Sequence, residues 1–159
     1  MTDEQKLEKA IMVYAQLCNN LDARNWHYEK DDEKLRITCG AQGDDLPMRL
    51  VWRVDADRQL ISLMSLLPCI TTPEQHEDFA VALCAVNNKL AHGCFDYDLE
   101  RGGIFYRMTN SFLESDIGDD MLSYMLVASF RTIDDYNDKL TMLQQNMITL
   151  EDFLAAIAD

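Results

Sequence analysis

The sequence has no basic run, no membrane-length apolar stretch and no CxxC pair, and it contains only 3 prolines and 6 glycines in 159 residues. Each absence excludes something. The densest cationic stretch is Arg49, Arg53 and Arg58, interrupted by Asp55 and Asp57, within a chain of net charge −14. A phosphate backbone or an anionic bilayer repels such a surface, so neither nucleic acid nor membrane is an expected partner. The longest uncharged segment, which starts at Gln59, is broken by Ser62, Ser65, Pro68, Thr71 and Thr72 and cannot form a transmembrane helix. The opening Met1-Thr-Asp-Glu-Gln has neither the basic nor the apolar region of a secretion signal. The 5 cysteines, Cys18, Cys39, Cys69, Cys84 and Cys94, are odd in number and sit within apolar patterns. They read as reduced, structural thiols, and a cytoplasmic location is expected.

What is present suits one folded domain over residues 1–159. Apolar residues make up 48% of the chain, too many for a disordered acidic tail. A domain of this size buries roughly 70% of the surface its unfolded chain exposes, so an ordinary core suffices without disulfides or metals.

Leu7, Ile11, Tyr14, Cys18 and Leu21 recur at spacings of four and three, predicting an amphipathic helix that starts near Thr2 and frays at Asn19-Asn20. A hairpin follows, from Trp26–Tyr28 and Leu35–Cys39 about Asp31-Asp32-Glu33. Met48, Leu50, Trp52 and Val54 alternate with Arg49, Val51, Arg53 and Asp55, which makes a strand with one core face. The next strand, Leu60 to Leu67, is apolar on both faces and calls for cover on both. Thr72-Pro73-Glu74-Gln75 is a capping box that opens a helix with the stripe Phe79, Leu83, Val86 and Leu90.

A second hairpin pairs Phe95–Leu99 with Ile104–Met108 across Arg101-Gly102-Gly103. A long helix is predicted from Asp119 to Gln145, with Leu122, Met125, Leu126, Ser129, Ile133, Tyr136, Leu140 and Leu143 inward. Thr149 caps a last short helix. The order α-β-β-β-β-α-β-β-α-α, with strands in runs joined by tight turns, predicts an α+β fold. Its sheet is antiparallel, with helices mainly on one face.

No residue set reads as catalytic, cofactor-binding or metal-binding. Asp96, Asp98 and Glu100 line one face of a strand, but Arg101 and Arg107 stand where an EF-hand needs Gly and Glu. They read as a solvated face. His76-Glu77 lacks the second His of a zincin, since Ala80 takes its place. His92-Gly93-Cys94 contains a thiol and a base, yet its position at a helix end favours a structural role. Met64, Met121, Met125 and Met142 read as core filling, with an adaptable binding surface as the other use of such residues.

The segment from Asn87 to Arg107, Asn-Asn-Lys-Leu-Ala-His-Gly-Cys-Phe-Asp-Tyr-Asp-Leu-Glu-Arg-Gly-Gly-Ile-Phe-Tyr-Arg, resembles the bacterial YbjN-like family. Phe130-Arg-Thr-Ile-Asp-Asp-Tyr136, Ile148 to Phe153, Trp26-His-Tyr28 and Leu66-Leu-Pro68 are also similar to that family. Its members are described as candidate regulators of sensory transduction. The resemblance implies a fold shared with type III secretion chaperones, which are small acidic proteins, commonly dimeric, that hold other polypeptides and catalyse nothing. It brings no catalytic motif. The Gly40–Asp45 loop has no counterpart in the family pattern.

The expected function is therefore a non-enzymatic protein-binding or chaperone-like module in bacterial cytoplasm. A small-molecule-sensing or enzymatic domain with an unrecognised pocket is the alternative. The expected surface follows from the strand phases. With Leu50, Trp52, Leu60, Met64, Phe95, Tyr97, Ile104 and Tyr106 facing the helices, Val51, Ile61, Leu63 and Phe105 point outward. An exposed apolar patch of this kind marks an interface, to a partner protein or to a second copy in a two-fold homodimer. The alternative cover is the chain's own terminal helix.

Overall fold

A computed structural model of the chain, described here for residues 1–158, has the predicted order of elements. Helix α1 (Asp3–Ala23) opens on a reciprocal cap. The Thr2 hydroxyl accepts from the Gln5 N–H at 3.2 Å, and the Gln5 side-chain oxygen accepts from the Thr2 N–H at 2.9 Å. Two apolar stripes compete on this helix, and the structure buries Ala10, Val13, Tyr14, Leu17 and Leu21. Leu7 and Ile11, which the sequence pattern placed inward, are exposed. The helix also continues past Asn19-Asn20, because the Asn20 amide donates to the Asp119 carbonyl at 3.2 Å rather than breaking the turn.

Strands β1 (Tyr28–Asp31), β2 (Arg36–Gln42), β3 (Pro47–Asp55) and β4 (Leu60–Ile70) form an antiparallel meander. A 3₁₀ turn over Pro73–Gln75 then leads into α2 (His76–Asn87), with Gln75 reaching back to the Thr72 N–H at 3.1 Å. The chain returns to the far sheet edge as β5 (Cys94–Asp98) and folds back as β6 (Gly103–Ser111), which inserts beside β4. The sheet order is β1-β2-β3-β4-β6-β5. Gly102, at φ +69°, makes that last turn possible, since a Cβ there would stand 2.2 Å from the Thr71 carbonyl oxygen. Helices α3 (Asp119–Gln144) and α4 (Leu150–Ala156) complete the fold.

The four α-helices of the described residues lie on the same side of the sheet. α1 rests on β3, α2 on β5, and α3 on β4 and β6, while α4 packs against α2 and α3. Trp52, Leu63, Phe79, Tyr106, Phe112 and Phe153 are fully buried between sheet and helices. Each such side chain contributes about 1.5–3 kcal/mol relative to exposure. Asn137 of α3 takes the inward position expected of Tyr136, which is only half-buried. The terminal helix therefore covers other helices and leaves the second sheet face bare.

Candidate functional site

The bare face is set by the period of two along each strand. On β3 the phase is as the sequence predicts: Met48, Leu50, Trp52 and Val54 are buried, and Arg49, Val51 and Arg53 point outward. On β6, Ile104, Tyr106 and Met108 are buried and Phe105 is outward. On β4 the expected phase is reversed. Ile61 and Leu63 are each 0% exposed and face the helices, whereas Leu60 and Met64 face outward and Leu66 is 65% exposed. Of the expected set Val51, Ile61, Leu63 and Phe105, the outer face thus keeps Val51 and Phe105 and gains Met64 and Leu66.

The reason lies in the β3–β4 hairpin. Asp55 pairs with Leu60 and Val51 with Met64, and residues directly opposite on neighbouring strands share a face. Once Val51 is outward, Met64 must be outward too. β4 is apolar at both phases, so its own pattern carries no such information.

Two adjacent rungs across the sheet form the apolar centre of this face. One joins Thr38, Val51, Met64 and Arg107, and the next joins Leu66, Phe105 and Asp96. Directly opposed pairs such as Val51–Met64 and Leu66–Phe105 bring their Cβ atoms to about 4.5–5.5 Å. Ile70, 55% exposed, extends the patch beyond the register shift that separates the Leu66 and Ile70 pairings.

Charge is unevenly placed around that centre. The four inner strands carry Arg36, Arg49, Arg53 and Arg107 outward, with Asp55 at the hairpin end. The acids stand on the two edge strands, Glu29 and Asp31 on β1, and Asp96 and Asp98 on β5. Arg36 is ion-paired to Asp31 at 3.2 Å, and Arg107 donates to Asp96 at 2.6 Å. That hydrogen bond holds the Arg107 guanidinium above its ordinary pKa. Among the described residues Arg49 and Arg53 have no ion-pair partner, and Arg53 stands directly opposite Arg36. Next to Arg49 the absence of a side chain at Gly40 opens a hollow of about 500 Å³, bordered by His27, Glu29 and Thr38.

The other residues weighed from sequence have structural uses. Asp96 serves Arg107, and the Asp98 carboxylate accepts the N–H groups of Glu100 and Arg101, each at 3.1 Å, to close the turn. His92 and Cys94 are not brought together. The His92 ring contacts the Tyr124 hydroxyl at 2.5 Å, whereas the Cys94 thiol faces Asp96 at 3.5 Å. Burial, and then Asp96, push the Cys94 thiol above its ordinary pKa, so it is no activated nucleophile. His76 packs edge-on against Tyr97 with ring centroids 5.7 Å apart. Met125 is core, Met121 is exposed on α3, and Met142 is half-buried there. The loop expected from Gly40 begins only after Gln42, because Gly40, Ala41 and Gln42 pair with Arg49, Met48 and Pro47 as the end of β2. The short turn that remains is tied to the helical side, where the Asp44 N–H donates to Asp134 at 3.0 Å. No group of three or more His, Cys, Asp or Glu among the described residues is placed to hold a metal, and no described helix is long and apolar enough to cross a membrane.

Comparison with known proteins places this geometry. The family YbjN, described as "Putative bacterial sensory transduction regulator", matches residues 14–142. No curated protein sequence matches the chain with significance. Among solved structures, the crystal structure of YbjN, described as a putative transcription regulator from E. coli, superposes with a TM-score of 0.60 at 11% identity, over 82% of this chain and 92% of that one. A chain of the HopA1–SchA chaperone–effector complex superposes with a TM-score of 0.53 at 17% identity, over 78% of this chain and 91% of that one. At these identities the likeness is one of fold.

Proposed function

This chain belongs to the YbjN family, and on that premise we propose that it works by holding another polypeptide rather than by catalysis. The single observation that carries the reading is the uncovered sheet face with Val51, Met64, Leu66 and Phe105 at its centre. A contiguous apolar patch ringed by polar residues is the usual mark of an interaction surface. The sheet edges suit docking less well. β1 has only 4 residues and β5 only 5, and both carry outward acids, features that discourage strand addition. The fold likeness to a chain of a chaperone–effector complex adds support. Free thiols at all five cysteines suit the reducing cytoplasm, which is where the proposal places the protein.

The homodimer expected from sequence competes for this same face. A two-fold axis through the apolar centre would bring the unpaired Arg49 and Arg53 of the two copies into one interface. That arrangement adds repulsion in a desolvated place, so a different polypeptide is the favoured occupant.

The test is site-resolved photo-crosslinking in cells, with p-benzoylphenylalanine at Leu66 and, as control, at Met147 on the helical side, which is 64% exposed. Discrete polypeptide adducts are expected at position 66 and not at 147. An equal pattern at both positions, or none at either, overturns the proposal.

A further inference from the structure

We propose that the occupant of the outer sheet face is an acidic–apolar segment, in which carboxylates flank large apolar side chains. This rests on the protein-binding reading above and goes further in naming the chemistry of the partner. The warrant is a mismatch between the chain and the face. A protein of net charge −14 has gathered four arginines on the outward positions of its inner strands and kept acids to the edge strands and to Asp55 at the β3–β4 hairpin end. Two of these arginines, Arg36 and Arg107, are neutralised within the fold.

Arg49 and Arg53 are not, and they bracket Val51 on the central strand. Their backbone positions are four residues apart on one strand, which sets them roughly 13 Å apart along it. Arg53 also stands opposite Arg36, an alignment of like charges that costs stability on a strand pair unless a counter-charge arrives. Between them lies the apolar rung Val51–Met64, with Leu66–Phe105 beside it. A segment with two carboxylates roughly 13 Å apart and leucine- or phenylalanine-sized residues between them meets both guanidinium groups and covers both rungs.

The rim narrows the choice. Glu29 on one edge and Asp98 on the other, the rim acids not spent on Arg36 and Arg107, repel a ligand whose negative charge is continuous. A nucleic acid would extend its phosphates over those acids in either direction, whereas a short mixed segment need not. A second copy of the chain brings its own arginine pair to the centre instead of carboxylates.

The experiment uses the full chain and two labelled synthetic peptides. One interleaves Glu with Leu and Phe, and the other has Lys in place of every Glu. By fluorescence anisotropy at low salt, the Glu peptide is expected to bind about tenfold or more tighter than the Lys peptide. R49E/R53E should reverse that order, R49Q/R53Q should abolish the preference, and circular dichroism of both variants should match the parent. Equal binding of the two peptides, or a preference for Lys, overturns the inference. If adducts at Leu66 persist in that case, and survive R49E/R53E, protein binding stands and only its acidic character falls. If neither peptide binds and no adduct forms at Leu66, both readings fall together. Adducts at Leu66 that consist of a second copy of the chain, or an oligonucleotide displaced by R49E/R53E, would assign the face to another occupant and overturn the inference.

Discussion

The two faces of the sheet are made by the same strands, one residue out of step, and they have opposite fates. Trp52, Leu63 and Tyr106 point toward the helices and are fully buried, while Val51, Met64 and Phe105, each next to one of them in sequence, point away. The inner face holds the fold together. The outer face has apolar residues that none of the described helices covers, set among arginines that the fold only partly neutralises. A sheet needs one covered face to be stable and can keep the other for use. Here the second face is neither plainly polar, as a solvated face would be, nor covered.

The sharpest way to break this comparison is a matched pair of truncations on β4. Leu63→Ala removes a fully buried side chain and leaves a cavity, and it should lower stability by about 2–5 kcal/mol in urea denaturation. Leu66→Ala, three residues away on the exposed face, should stay within about 0.5 kcal/mol of the parent. Similar losses at both positions would mean that something covers the outer face in the isolated chain.

That pair is also where the sequence is least legible. On β3, charged residues alternate with apolar ones, so Arg49, Val51 and Arg53 identify the outer phase unaided. On β4 the run Leu60-Ile-Ser-Leu-Met-Ser-Leu-Leu67 is apolar at both phases, and its two serines fall on opposite faces: Ser65 is buried and Ser62 is half-exposed. The missing information was one strand away, in the turn that pairs Asp55 with Leu60 and so passes the phase of β3 to β4. The same ambiguity affects α1, where Leu7 and Ile11 compete with Ala10, Val13 and Leu17, and only packing on β3 and α3 decides between them. The element order, the hairpins and the caps at Thr72 and Thr149 were legible because each depends on neighbours in sequence. The gathering of Arg36, Arg49, Arg53 and Arg107 was not, because it depends on register between strands.

A smaller effect separates the faces through their thiols. Cys39 is inward on β2, and burial pushes its pKa from 9.0 up to about 11. The unfolded chain gives up this proton as pH passes its ordinary value, while the folded chain holds it. The unfolded state then binds fewer protons, so the contribution to stability is whole below pH 9 and is lost as pH rises toward 11. The loss at the upper end is on the order of 2 kcal/mol. Cys39→Ala should flatten the fall in urea midpoint between those limits. Burial of Cys69 and Tyr14 acts in the same direction, so the slope should shrink rather than vanish. Cys94, on the outer face and half-buried, should react with a thiol reagent in the native state, while Cys39 waits for unfolding. Equal reactivity of the two would contradict the assignment of faces.

The smallest effect on stability is expected from the most drastic change to the outer face. L66E/F105E places two carboxylates on the apolar rung beside the one that contains Arg107. Leu66 is exposed and Phe105 half-exposed, so the desolvation cost is small. The new carboxylates stand opposite each other and opposite Asp96, a repulsion that Arg49 and Arg107 on the same side of the sheet offset in part. The variant should remain folded and within about 1 kcal/mol of the parent. What it should lose is binding of small apolar anions. The fluorescent probe 8-anilinonaphthalene-1-sulfonate combines a sulfonate with aromatic rings, matching the guanidinium groups and the rungs between them. The parent should enhance its fluorescence in the native state, and L66E/F105E should not, because the apolar half of the match is gone. R49Q/R53Q should weaken the same signal by removing the charged half. Unfolding of L66E/F105E would place Leu66 or Phe105 in the core, and unchanged probe fluorescence would locate the apolar surface elsewhere, on the helical side where Ile11 and Met12 of α1 are also exposed.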